Sequence, residues 1–196
     1  MMSRKAVVIS GSPGTGKSTL ANSLAGHFRV EFIDISKLAE ETGLIIGMDK
    51  QRETKIADTD RLVHYLVHRI FSAESGIILE GHYADIVPSE YVSTVIVLRT
   101  SPEVLNLKLG KRGWKASKIA ENVQAEILSV CLVNALRAYN EEIIYEVDTT
   151  NLTPQETFNE VLKILSGEKA CEYRVGSINW LESLEKKGRL KEFFQS

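Results

Sequence analysis

Gly11-Ser12-Pro13-Gly14-Thr15-Gly16-Lys17-Ser18 fits G-x-x-x-x-G-K-[ST], the pattern of a phosphate-binding loop. Glycines in such a loop let the backbone fold around an anion and bring its N–H groups close to it. The helix expected to open near Lys17 adds unpaired N–H groups and the positive end of its dipole. In that setting Lys17 reaches the β- and γ-phosphates of a nucleoside triphosphate, and the Ser18 hydroxyl sits on Mg²⁺. The flanks agree with the motif. Ala6-Val7-Val8-Ile9-Ser10 reads as a buried strand, and Leu20, Ala21, Leu24, Ala25 and Phe28 recur at helical spacing.

The rest of the chain bounds what this loop serves. Its 196 residues suit one α/β domain with a small appendage, and an apolar fraction of 43% supports a real core. With 24 basic against 26 acidic residues the net charge is −2, so nothing draws the whole surface to nucleic acid or an anionic membrane. Cys131 and Cys171 lack a C-x-x-C partner, which argues against zinc. They read as buried thiols in a reducing cytosol, with a disulfide between them as the alternative. The N-terminal apolar run is too short for a signal peptide and no stretch is long enough for a bilayer, so the expectation is a cytoplasmic protein with no membrane contact.

Five β-rich runs alternate with helical patterns: 5–10, 30–35, 76–80, 94–98 and 143–147. That alternation predicts an α/β fold, a parallel sheet covered by helices. Leu62, Val63, Leu66, Val67, Ile70 and Phe71 trace one helix face, and Ser101-Pro102 opens a short helix. A single long helix fits 117–139, with Ile119, Val123, Ile127, Val130 and Cys131 inward. Thr153-Pro154-Gln155-Glu156 is a capping box that opens another. Beyond Gly167, Trp180, Leu181 and Leu184 suggest a short amphipathic helix in an appended segment.

Three further segments narrow the chemistry. Ile77-Ile78-Leu79-Glu80-Gly81-His82 is an apolar strand ending in an acid, and Glu80 there suits the handling of Mg²⁺, the alternative being a solvated glutamate at an ordinary strand end. His82 reads two ways, as a group orienting a water or a phosphate or as a loop histidine satisfied by backbone. Residues 104–120 contain Lys108, Lys111, Arg112, Lys115 and Lys118 around Gly113-Trp114 and no acid. As a basic flap it closes over phosphates, neutralises transition-state charge and excludes water, with Arg112 suited to stack on adenine; the alternative is a solvated helix face. The polar stretch 36–60, with Lys37, Asp49, Arg52, Asp58 and Asp60, is longer than a plain connection needs and suits a second-substrate subdomain, the alternative being a surface loop.

Together these stretches resemble the adenylate kinase isoenzyme 6 family, small nucleotide kinases and ATPases that also act in small-ribosomal-subunit assembly. The resemblance is carried in order by Gly11–Thr19, Asp34–Ala39, Asp49–Leu62, Glu80-Gly81-His82-Tyr83-Ala84-Asp85, Val97-Leu98-Arg99-Thr100, Lys111-Arg112-Gly113-Trp114 and Asn122–Ile127. It implies a P-loop NTPase three-layer fold, a five-stranded parallel sheet flanked by helices, with a nucleoside-monophosphate-binding insertion at about 36–60 and a short lid at about 110–120. Residues 1–166 would form that domain and 167–196 a C-terminal helical extension.

The resemblance further implies ATP and Mg²⁺ as cofactors and AMP as phosphoryl acceptor. Gly14, Thr15, Gly16, Lys17, Ser18 and Thr19 fall on the ATP-phosphate site, and His82 and Arg112 on catalytic positions, Arg112 also near the adenine. Ser18 and Glu80 serve the metal; Glu80 stands where the family often has Asp. The family's Asp-Leu-Ala signature is Lys37-Leu38-Ala39 here, and Arg52 occupies a position that only some members keep basic. The implied activity is ATP:AMP phosphotransfer with ATP hydrolysis, in small-subunit rRNA maturation. The implied partners are a small-subunit ribosomal protein and, indirectly, rRNA, in the cytoplasm or, in a eukaryote, the nucleus. The alternatives are an assembly ATPase with little kinase flux and a small-metabolite kinase.

Overall fold

The computed structural model describes residues 5–50, 54–81, 84–168 and 170–194. Strand β1 (Ala6–Gly11) leads through the phosphate loop into helix α1 (Lys17–Phe28). β2 (Glu31–Asp34) runs into α2 (Ile35–Glu41), followed by a hairpin of β3 (Ile45–Asp49) and β4 (Thr54–Ala57). α3 (Thr59–Ser72), β5 (Ile77–Glu80) and β6 (Val92–Arg99) come next. α4 (Pro102–Lys111), α5 (Ala116–Ile127) and α6 (Val130–Ala138) precede β7 (Ile144–Asp148). α7 (Pro154–Ser166), α8 (Trp180–Lys186) and α9 (Lys191–Phe194) complete the described chain.

All five long-range strands are parallel, in the order β2-β5-β1-β6-β7. A central parallel strand is covered on both faces, which is why β1 reads as an unbroken apolar run and every one of its residues is buried. The two faces separate by alternation. Ala6, Val8, Ile77, Leu79, Val95 and Val97 pack against Leu62, Leu66 and Ile70 of α3 and Leu132 and Ala135 of α6. Ile9, Ile78, Ile96 and Leu98 turn the other way, onto Leu20, Ala21 and Leu24 of α1 and Val161 and Ile164 of α7. Each such valine, leucine or isoleucine contributes about 1.5–3 kcal/mol on leaving water. The five strand positions and the layer order agree with the sequence reading, and the Thr153–Glu156 capping box is formed as expected.

The single helix expected over 117–139 is two helices. α5 ends at Ile127, α6 begins at Val130, and their axes bend by 53°. Ser129 sits between them at φ 55, a left-handed conformation that costs a non-glycine residue roughly 1–2 kcal/mol. The compensation is tertiary: Arg99 Nη2 donates to the Glu126 carbonyl at 3.1 Å and to Ser129 Oγ at 2.9 Å. Apolar spacing runs smoothly across the break, so periodicity alone conceals it.

Three smaller expectations also change. Val130, expected to face inward, is exposed at the start of α6. Phe71 is 74% exposed, because the stripe that meets the sheet is Leu62, Leu66 and Ile70, and Phe71 lies a further 100° round the last turn of α3. Cys171 is exposed rather than buried, and both cysteines are unpaired. The polar stretch 36–60 builds α2 and the β3–β4 hairpin, whose Ile46, Met48 and Ile56 are exposed. Asp34 caps α2, accepting from the backbone N–H groups of Ser36 and Lys37 at 3.0 and 3.1 Å.

The C-terminal segment packs on the domain. Leu184 of α8 is buried among Leu105 and Leu109 of α4 and Val123 and Ile127 of α5. Among the described residues no single helix is long and apolar enough to cross a membrane.

Gly11 ends β1 at φ +139, and a Cβ there would lie 2.5 Å from the Leu98 carbonyl oxygen. Neither the dihedral nor the backbone contact yields to a side chain. Gly11→Ala is therefore expected to lower the free energy of unfolding by roughly 2–4 kcal/mol, read from urea melts. An unchanged urea midpoint would show that the strand end relaxes freely.

Candidate active site

The phosphate loop owes its shape to its neighbours as much as to its glycines. The Ser12 carbonyl accepts from Thr15 N at 3.4 Å, Thr15 Oγ1 at 2.9 Å and Lys17 Nζ at 3.2 Å. Gly16 caps α1 at φ 102 with no side-chain hydrogen bond to the helix N-terminus. The first-turn N–H groups are thus left to an anion. Gly14 lies against α4: a Cβ on it would meet Leu105 Cδ1 at 3.0 Å and Leu109 Cδ2 at 3.3 Å.

Sheet register brings the acid to the loop. Glu80 pairs with Ile9 of β1 on one side and with Asp34 of β2 on the other. Its Oε1 lies 3.8 Å from Lys17 Nζ, and its Oε2 accepts from Ser18 Oγ at 3.1 Å. Lys17 and Glu80 are both buried. Burial pushes the Lys17 ammonium below its ordinary pKa, against the pull of Glu80. It pushes the Glu80 carboxyl above its ordinary range, with Asp34 adding and Lys17 and Ser18 opposing. Each charge is incompletely compensated by the other, the electrostatic condition of a site that takes a polyanion and a cation together.

Two cavities meet at the loop, and Gly14, Gly16, Thr19 and Arg112 border both. The first, about 310 Å³, runs from Lys17 and Ser18 past Glu80 and Gly81 to Asp34 and Ser36. The second, about 260 Å³, is bounded by Lys108, Thr149, Leu152, Pro154 and Thr157. A larger cavity of about 560 Å³ opens at the start of β1, beside His27, Phe28 and Leu162, and holds none of the predicted site residues. It lies at the wrong end of the strands for ligand chemistry in an open α/β sheet.

The structure therefore collects Gly14, Thr15, Gly16, Lys17, Ser18, Thr19, Glu80 and Arg112 around one region. Arg112 is exposed at the end of α4, and the basic stretch becomes α4, a four-residue turn and α5. His82 and Arg52 lie outside the described residues. Residues that the sequence reading left out of the site are Asp34, Thr149 and the start of α7, while Lys108, expected in the basic flap, borders the second cavity. Asp34 and Thr149 stand at or just past the carboxyl ends of strands, and that position was the available signal. Burial, then Arg112, lowers the pKa of Lys108.

The donors present fit Mg²⁺. Ser18 and Glu80 offer hard oxygens side by side, and Asp34 lines the same cavity. Among the described residues no group of three His, Cys, Asp or Glu side chains forms a metal cage. Few protein ligands beside a phosphate site suit Mg²⁺, which keeps waters and shares substrate oxygens.

Fold and site define a P-loop enzyme of the nucleoside-monophosphate kinase class. A family model described as an AAA domain matches residues 7–129. The adenylate kinase isoenzyme 6 homolog of Caenorhabditis elegans is 35% identical over 165 residues, 84% of this chain and 91% of that protein. A putative adenylate kinase of Thermococcus onnurineus is 38% identical over 181 residues, 92% of this chain and 93% of that one. The chain belongs to the adenylate kinase isoenzyme 6 family. In fold it is similar to a gluconokinase from Sinorhizobium meliloti, with a TM-score of 0.56 at 16% identity over 88% of this chain and 97% of the other.

Replacing Lys17 removes the cation aimed into the loop while leaving the sheet and α1 packing intact. Lys17→Ala is expected to reduce ATP turnover at least about a hundredfold with an unchanged far-ultraviolet circular dichroism spectrum. Near-normal turnover would place the reaction elsewhere.

Proposed function

We propose that the chain transfers the γ-phosphoryl group of ATP to AMP. The observation that carries this reading is the pair of cavities meeting at the phosphate loop. One is walled by Leu152 and Pro154, which suit a purine; the other leads from Lys17 to the start of α2, where an acceptor phosphate would arrive. Relatives named adenylate kinase support AMP as that acceptor. On this reading residues 1–166 are the catalytic domain, 36–60 its acceptor-binding insertion, 110–120 its lid and 167–196 a C-terminal extension.

Phosphoryl transfer passes through a loose transition state, so the protein chiefly positions and neutralises. Lys17, held in the resting site by the Ser12 carbonyl and Glu80, turns its ammonium to the phosphates. The open N-terminus of α1 takes phosphate oxygens on its N–H groups. Arg112 borders both cavities and so reaches the transferred group from the lid side, its flat guanidinium also suited to the adenine face. Ser18 and Glu80 would hold Mg²⁺, which would supply positive charge to neutralise the phosphate oxygens. His82, next to the cavity-lining Gly81, orients the acceptor phosphate or a water.

Hydrolysis is the second reading, and the exposure of Arg112 and Trp114 favours it, since the cavity they border stands open to water. In that case a small-subunit ribosomal protein, with rRNA contacted indirectly, would close the site during small-subunit maturation, in the cytoplasm or a eukaryotic nucleus.

Purified protein given ATP and Mg²⁺ with and without AMP distinguishes the two. Phosphotransfer yields ADP without free phosphate and only with AMP; hydrolysis yields equal ADP and phosphate without it. Chelating Mg²⁺ is expected to abolish both. No product under any condition would overturn the proposal.

A further inference from the structure

Beneath the phosphate loop lies an ion network that the transfer mechanism does not use. Arg99, 1% exposed at the end of β6, faces two buried carboxylates. Its Nε donates to Glu126 Oε1 at 2.8 Å and its Nη1 to Glu146 Oε1 at 2.5 Å. One guanidinium against two carboxylates leaves an excess negative charge in the interior, which neutral donors must offset. Two of those donors come from the C-terminal segment: Trp180 Nε1 donates to Glu126 Oε1 at 3.2 Å, and Gly176 N to Glu146 Oε2 at 2.7 Å. The backbone of Thr100 gives Glu126 Oε1 a third partner at 3.3 Å.

The other oxygen of Glu126 faces the loop. Ser12 Oγ donates to Glu126 Oε2 at 2.6 Å, a buried contact across 114 residues of sequence. The carbonyl of that same Ser12 takes the Lys17 ammonium. A loop with glycines at φ +139 and +93 has little conformational preference of its own, so anchors decide its shape. Ser12 to Glu126 is one; Thr149 Oγ1 to the Thr15 carbonyl, 3.1 Å, is another. The Cys131 thiol also reaches Ser12 and Gly11, and burial pushes its pKa up, so it meets the loop as a neutral group.

We infer that Glu126 is a positioning residue for the phosphate loop, and that the C-terminal segment, through Trp180, holds Glu126 in place for that task. The segment is then part of the nucleotide site although it touches no nucleotide. The chain of contacts is continuous: Trp180 to Glu126, Glu126 to Ser12, Ser12 to Lys17. It also ties the loop to α5, the helix that begins directly after the turn of Arg112. The inference rests on the phosphate loop binding nucleotide, not on the identity of the acceptor.

The test is ADP·Mg²⁺ affinity by calorimetry on the full chain, with thermal midpoints recorded in parallel. Trp180→Phe removes the indole N–H and keeps an aromatic ring. It is expected to weaken ADP binding about fivefold, Ser12→Ala about tenfold, and the double variant no more than Ser12→Ala alone. A Trp180→Phe protein that melts lower yet binds ADP like the wild type overturns the inference, showing a merely structural contact. So do effects that multiply in the double variant, which would make Trp180 act independently of the loop. A wild type that binds no ADP overturns the phosphate-loop reading and this inference with it.

Discussion

One guanidinium holds three parts of this molecule in register. Arg99 ends β6, beside the strand that feeds the phosphate loop, and it binds α5 through Glu126, β7 through Glu146, and the α5–α6 junction through Ser129. A buried cation of this kind is an uncertain source of stability, because desolvation consumes much of the Coulombic gain. Its value is geometric: five fixed N–H directions dictate where the partners sit. The bend between α5 and α6 follows from it, and so does the placement of the carboxylate under Ser12. The hydrophobic layers would tolerate some sliding of α5; the fork of Arg99 does not.

The site is built by strand register above that anchor. Ile9, Glu80 and Asp34 lie on adjacent strands at matching levels, so a carboxylate pair stands beside the first turn of α1 without any loop having to find it. Burial costs the Lys17 and Glu80 charges more than their mutual attraction returns, so each has room for a further partner of opposite charge.

Much of this was legible in the residues. The phosphate-loop pattern constrains backbone and chemistry at once, so Gly11 to Ser18 read correctly as strand end, loop and helix start. The five strands were legible because parallel strands buried on both faces leave continuous apolar runs. What escaped has a common cause: it depends on partners far away in sequence. The break at Ser129 is held by Arg99, thirty positions earlier, while the helical pattern runs through it undisturbed. Glu126 lay within the expected 117–139 helix and was given no role, because nothing local tells a solvated glutamate from one that faces Arg99. Phe71 failed for a geometric reason, since apolar spacing drew the stripe too wide and only its Leu62–Leu66–Ile70 line meets the sheet.

The close approach of Gly14 to α4 has an evolutionary consequence. With Leu105 Cδ1 and Leu109 Cδ2 at 3.0 and 3.3 Å from where a β-carbon would be, the loop and the helix leading to Arg112 share one small volume. A β-carbon at 14 needs the Leu105 and Leu109 methyls to give by a few tenths of an ångström, and the φ of +93 strains any L side chain there. Position 14 should therefore stay glycine across descendants of this chain, and residues at 105 and 109 should keep to shapes that leave this approach open. The spacing between the loop and α4 is inherited as one character.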